Sequence, residues 1–167
     1  MRTLRVAAAA AAVFVVVVVG SLQAVADDDS FAARLTGFEE IPTLSVPGTG
    51  RFTAELDDGT LRFTLRYQNL TGPAHMAHIH LGRPWVAGGV IAFLCGGGGQ
   101  AACPGGTSGT VTGEIRAAHV VGPVDQGIAP GEFRELVRAL RAGATYVNVH
   151  TDAFGTGEIR GQIRDRD

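Results

Sequence analysis

Two histidines, His78 and His80, lie two residues apart in the alternating segment at residues 77–82 (AHIHLG). Side chains on a strand repeat their direction every two residues, so both imidazoles point to the same face, with Cα atoms roughly 7 Å apart. One metal ion can bind two imidazoles at that spacing. The segment therefore predicts half of a metal site on a strand.

A second alternating segment, at residues 145–151 (TYVNVHT), carries a third histidine, His150. If its face meets the first one, three imidazoles become available to zinc or copper, with nitrogen to metal distances of about 2.0–2.1 Å. The fourth position is then left to water, Asp152 or His75. We therefore name His78, His80 and His150 as the candidate metal ligands.

The same side chains also allow an interpretation without a metal. Neutral imidazole has one donor and one acceptor, so a polar cluster can tie strands together through its own hydrogen bonds. The expected rim of either kind of site is Tyr146, Asn148, Glu158 and Arg160. Glu158 and Arg160 share a strand face, where the simplest interpretation is an ion pair at the surface or rim. Both interpretations of the histidines stay open at this level.

The first 26 residues have the features of a secretory signal peptide. Arg2 and Arg5 precede an apolar run at residues 6–19, and residues 24–26 form an Ala-x-Ala cleavage signal. The run is short for a membrane span of about 20 residues, so cleavage is favoured over a membrane anchor. We expect a protein secreted to the extracellular space or periplasm, free of the membrane, with residues 27–167 as a single domain.

The basic residues of the chain are all arginines, and acidic residues outnumber them by sixteen to fourteen. Loss of the signal peptide removes two arginines and makes the mature chain more acidic. Nucleic acid binding requires a clustered basic surface, and the sequence shows no run of basic residues. We therefore expect no nucleic acid partner.

Cys95 and Cys103 are the only cysteines of the chain. An even number of cysteines in an exported protein favours a disulfide, which here closes a small loop around four glycines at residues 96–99. A metal site made of cysteine and histidine is the competing interpretation.

Short alternating segments indicate an all-β fold. Residues 51–57 and 60–67 flank Asp58-Gly59, the pattern of an antiparallel hairpin with one buried face. One short helix is expected near residues 131–142, where apolar residues recur at helical spacing. We expect an antiparallel, Greek-key-like β-sandwich or barrel.

Four segments resemble the successive blocks of the CHRD domain, the family named from chordin, a secreted antagonist of bone morphogenetic proteins. They lie at residues 37–42 (GFEEIP), 77–82 (AHIHLG), 142–151 (AGATYVNVHT) and 157–163 (GEIRGQI). The resemblance covers residues 31 to 164 and implies a secreted microbial member with an extracellular β-rich domain. It implies no established catalytic activity.

Known catalytic patterns do not occur in the chain: it has neither a Gly-x-Ser-x-Gly elbow nor a phosphate-binding loop. The leading expectation is an extracellular binding module whose partner is an unknown extracellular protein or surface ligand. A metal-dependent enzyme of the copper-zinc superoxide dismutase type or of hydrolytic type is the first alternative. A structural envelope or matrix protein is the second.

Overall fold

The structure, a computed structural model, describes residues 29–166. Over this range the chain forms one α-helix, α1 (Phe133–Arg141), and nine strands. The strands are β1 (Ser30–Thr36), β2 (Thr49–Asp57), β3 (Thr60–Gln68), β4 (Ala74–Leu81), β5 (Val90–Cys95), β6 (Gly109–Ile115), β7 (Thr145–Thr151), β8 (Ile159–Gln162) and β9 (Arg164–Asp165). The predicted signal peptide at residues 1–26 lies outside the described residues.

Every strand pairs antiparallel with its neighbours, in the order β5-β4-β7-β8-β1-β2-β3-β6, and β9 pairs with β1. The sheet curls so that its edge strands β5 and β6 approach one another, which makes a nearly closed barrel. The predicted all-β antiparallel fold with one short helix is confirmed. Strands distant in sequence become neighbours in this order, most notably β4 and β7.

The β2–β3 hairpin forms where the alternating pattern predicted it. Asp57 pairs with Thr60 across the turn, and Asp58 and Gly59 both have positive φ, at 38° and 74°. Two consecutive residues with positive φ match the twist of the two strands, which is why Asp-Gly favours this turn. Phe52, on the inward face of the hairpin, is fully buried.

Helix α1 covers the barrel with one apolar face. Leu136 and Leu140 are fully buried, whereas Arg138 is exposed and pairs with Glu135 one turn earlier. Apolar residues three and four apart lie on one side of a helix, and they pack here on the core. Within residues 29–166, no helix has the length and apolar character needed to cross a membrane.

Cys95, at the end of β5, is bonded to Cys103, so the predicted disulfide is confirmed and the competing cysteine metal site is wrong. The closed loop packs tightly on β5. A Cβ added at Gly97 would lie 2.6 Å from the ring of Phe93, and one at Gly98 would lie 2.5 Å from it. The crosslinked loop therefore holds Phe93 in place from outside the sheet.

Candidate metal centre

The β4–β7 pairing brings the two histidine segments together. His78 lies opposite Asn148 and His80 opposite Tyr146, while His150 lies opposite Met76, one diagonal step along the strand. Residues directly opposite in an antiparallel pair share a face, as do residues two apart. All three histidines therefore project from one face of these two strands.

The three rings form one compact group. The ring centroid of His78 lies 4.8 Å from that of His150 and 5.3 Å from that of His80. One ring nitrogen from each of the three residues lies within 4.8 Å of the other two. The residues are only 5% to 8% exposed. The structure thus brings the three candidate ligands from the two sequence segments together in a nearly buried cluster.

Backbone carbonyls set the protonation of two of the rings. Nδ1 of His80 donates to the carbonyl of Gly88 at 2.8 Å, and Nδ1 of His150 donates to that of Gly155 at 3.0 Å. A carbonyl only accepts, so each neutral ring carries its proton on Nδ1 and its lone pair on Nε2. Histidines that bind metals are commonly oriented by such a bond on their other nitrogen.

Two ring nitrogens of the cluster are buried without a partner. Nε2 of His78 and Nε2 of His80 are buried without a hydrogen bond. Nε2 of His150 lies 3.0 Å from Nδ1 of His78. Two nitrogens bound tetrahedrally to zinc at 2.0–2.1 Å lie about 3.3 Å apart, so the His78–His150 pair is close to the spacing that a shared ion requires.

Burial keeps these histidines neutral. Desolvation, reinforced by the neighbouring imidazoles, lowers the pKa of His78 to about 3 and, despite the bond to Gly88, lowers the pKa of His80 to about 4. Desolvation also lowers the pKa of His150. Neutral imidazole is the form that binds a metal, so the cluster is ready for a cation at neutral pH.

Three of the four predicted rim residues lie beside the cluster. Tyr146 stacks on His80 with 4.7 Å between ring centroids, and Asn148 places Oδ1 3.1 Å from Nε2 of His150. Arg160 lies over Tyr146 and donates to the carbonyls of Arg83 and Val86 at 3.1 and 2.9 Å. Arg160 therefore anchors the loop at residues 83–88, which supplies the Gly88 carbonyl to His80.

The fourth rim residue, Glu158, has its carboxylate engaged elsewhere. It accepts from the backbone N–H of Thr71 at 2.6 Å and from the hydroxyl of Thr151 at 2.7 Å. The interpretation of Glu158 and Arg160 as a surface ion pair is wrong, because both are buried and each charged group has its own partners. The glutamate joins strand ends, while the arginine supports the site.

His75 and Asp152, the predicted sources of a fourth ligand, contact each other at the edge of the cluster. Nδ1 of His75 lies 3.3 Å from Oδ1 of Asp152, without the alignment of a hydrogen bond, and both side chains are substantially exposed. The ring of His75 lies 6.4 Å from that of His150. The structure places them next to the three buried histidines and outside the compact group.

Sequence reasoning missed Phe93 and Glu40. Phe93 packs edge-on against His78 with 4.4 Å between ring centroids. Only the pairing of Phe93 on β5 with His78 on β4 could have indicated this contact.

Glu40 is buried with Oε1 unpaired, and desolvation raises its pKa to about 7 despite the Ile41 N–H and the charge of Arg160. A Cβ at Gly157 would lie 2.4 Å from Oε1 of Glu40, so this carboxylate occupies the space that the glycine leaves.

Comparison with known proteins gives one match. The family model of the CHRD domain matches residues 31–163, which is most of the chain. No curated protein and no solved structure matches this chain. The match spans all three histidines, the disulfide and the arginine that anchors the loop.

Proposed function

The chain belongs to the CHRD domain family, and from this premise we propose that it is an exported binding module that holds zinc or copper through His78, His80 and His150. Its partner in this proposal is an extracellular protein or surface ligand. The proposal has two components. Metal binding depends on the three buried imidazole rings, whereas export and partner binding are properties of the whole domain.

The observation that carries the metal proposal is the pattern of engaged and unengaged nitrogens. Nδ1 of His80 and Nδ1 of His150 are bound to carbonyls, which leaves the lone pair of each ring on Nε2. The lone pair of His150 faces Nδ1 of His78 at 3.0 Å. Nε2 of His80 nevertheless has no hydrogen bond although it is buried. A buried polar atom without a partner destabilises the fold, and a bound cation would remove that penalty.

Export is supported by the N-terminal sequence and by the disulfide. The first 26 residues have a charged start, an apolar run and an Ala-x-Ala site. Disulfides such as Cys95–Cys103 persist mainly in oxidising compartments outside the cytosol.

The test is metal analysis of the protein purified without a histidine tag. We expect close to one equivalent of zinc or copper after loading and removal of free ion, and a loss of at least tenfold in affinity for His80→Gln or His150→Gln. His119→Gln is the matched control, because His119 is a partly exposed histidine outside the cluster that accepts from Arg116 N–H. Its metal content should equal that of the wild type.

Absence of stoichiometric metal, together with an unchanged melting temperature in zinc or copper, would refute the metal proposal. The hydrogen-bonded polar cluster would then be the correct interpretation, and the structural envelope or matrix role would gain support. Equal metal loss in His119→Gln would also count against it, because binding would then not depend on the buried rings.

A metal-dependent enzyme is the second candidate, and the observation that favours it is the number of ligands. Three imidazoles leave a fourth position of a tetrahedral ion open, as in catalytic zinc sites. Superoxide dismutation by copper-loaded protein and ester hydrolysis by zinc-loaded protein are the two assays. Activity that disappears in His80→Gln would support the enzyme, and activity equal to free ion would reject it.

A further inference from the structure

Three arginines lie side by side on the outer face of the barrel. Arg34 on β1 pairs with Arg51 on β2, and Arg51 pairs with Arg66 on β3. Neighbouring strands lie about 4.8 Å apart, so the three Cα atoms span about 10 Å. All three side chains are exposed, whereas the alternate residues Leu35 and Phe52 are buried. We call Arg34, Arg51 and Arg66 the arginine row.

The arginine row has no acidic counterpart. Among the described residues, no carboxylate forms an ion pair with any of its three members. The rows of paired residues on either side are also free of acids; they are Thr36, Thr49 and Gln68 on one side and Ala32, Thr53 and Thr64 on the other. Like charges directly opposite each other destabilise a sheet. A feature that costs stability without an internal gain indicates a function.

The arginine row also lines a cavity of about 450 Å³. Besides the guanidinium groups, its walls include the hydroxyl side chains of Thr36 and Thr49 and the amide of Gln68. Guanidinium groups bind oxyanions through two parallel N–H bonds, while hydroxyl and amide groups bind neutral hydroxyls. The cavity thus combines sites for charged oxygens with sites for uncharged ones.

We propose that the arginine row binds a segment of an anionic polysaccharide. Carboxylate or sulfate groups of the polymer contact the arginines, and sugar hydroxyls contact the threonines and the glutamine beside them. Nucleic acid fits less well, because single strands bind by stacking bases on exposed aromatic rings, and Tyr67, the aromatic residue that lines the cavity, is only 3% exposed.

This proposal goes beyond the metal function and shares no residue with it. The arginines lie on β1, β2 and β3, whereas the histidines lie on β4 and β7. The three arginines are far apart along the chain, so the sequence shows no run of basic residues. Strand register, which no local pattern specifies, brings the three arginines together into a basic cluster.

The test is calorimetric titration of the untagged protein at low ionic strength with two probes, a heparin-derived hexasaccharide and a galacturonate hexamer. The first carries sulfates and the second carboxylates only. We expect at least one probe to bind. The triple substitution Arg34→Gln, Arg51→Gln and Arg66→Gln should weaken that binding on the order of 1,000-fold, since each charged hydrogen bond contributes about a factor of ten. Added salt should weaken binding to the wild type far more than to the variant.

The matched control is the triple substitution Arg62→Gln, Arg116→Gln and Arg138→Gln. It changes the net charge equally, and each of these exposed arginines already faces a carboxylate. We expect nearly normal oligosaccharide binding in this control. The melting temperature of the arginine-row variant should equal or exceed that of the wild type, because a like-charge repulsion is removed.

Three results would overturn the proposal: no binding of either hexasaccharide, equal loss of binding in the control, or tighter binding of a 12-nucleotide single-stranded DNA at the same arginines. If the triple variant fails to fold, Arg51→Gln alone carries the test, because Arg51 is central to the row. Metal content measured on the same samples should stay unchanged, so the two proposals succeed or fail separately.

Discussion

The guanidinium carbon of Arg160 lies 3.4 Å from the centre of the Tyr146 ring. A cation over an aromatic face is stabilised by the negative face of the ring, most strongly where water is excluded. Both residues are more than nine-tenths buried. Because Tyr146 also stacks on His80, the contact links the arginine that anchors the loop at residues 83–88 to a candidate metal ligand.

Arg160→Lys is expected to weaken metal binding at the proposed centre. Lysine cannot donate to the carbonyls of Arg83 and Val86 in the same planar geometry, so the loop that carries the Gly88 carbonyl loses its anchor. We expect metal affinity to fall on the order of tenfold and the free energy of unfolding to fall by roughly 1–3 kcal/mol. Metal titration and urea denaturation measure the two effects. The exposed Arg134→Lys is the control, and equal losses in both variants would contradict the role of Arg160.

Removal of the disulfide is expected to destabilise the fold. The bond joins residues eight positions apart, and the chain-entropy cost of closing so small a loop predicts a loss of about 2.5 kcal/mol for Cys95→Ser with Cys103→Ser. Urea denaturation of the double variant and of the wild type with reductant should give the same midpoint. Alkylation of both cysteines in the unreduced, denatured protein would show that the bond does not form.

Glu40 is expected to make stability depend on pH. Its pKa is raised from 4.5 to about 7 by burial, so the folded protein holds the proton more tightly than the unfolded chain. The contribution of Glu40 is therefore most favourable below pH 4.5 and is lost as the pH rises through about 7. Relative to the wild type, Glu40→Gln should raise the free energy of unfolding by roughly 1 kcal/mol at pH 5 and by roughly 3 kcal/mol at pH 8. Exposed Glu55→Gln is the control, and a Glu40→Gln difference that stays constant with pH would exclude this explanation.

Gly161→Ala is expected to disrupt the junction of β8 with β1. A Cβ at this position would lie 2.0 Å from the backbone carbonyl oxygen of Arg34, so the strands would have to separate. We expect a loss of about 3 kcal/mol, the upper end of the usual range for overpacking, because the clash is with backbone. Gly155→Ala is the matched control, because a Cβ there meets nothing within 4 Å, and its melting temperature should change little. Similar melting temperatures for the two variants would disprove the close approach.

Local patterns in the sequence determined the features that depend on neighbouring residues. The Asp58-Gly59 turn fixes the hairpin because its backbone conformation matches the twist of the flanking strands. Strand alternation places His78 and His80 on one face, since side-chain direction repeats every two residues. The two cysteines of an exported chain likewise predicted the disulfide between Cys95 and Cys103.

Tertiary structure decided which of these faces meet. His78 and His150 are 72 residues apart, and only the pairing of β4 with β7 brings their nitrogens to 3.0 Å. Pairing across three strands likewise aligns Arg51 with Arg34 and Arg66. Alternation is a property of each backbone segment alone, whereas strand order and register depend on how the whole core packs. The sequence therefore identified the candidate ligands, and the packed barrel determined their convergence, their tautomers and their burial.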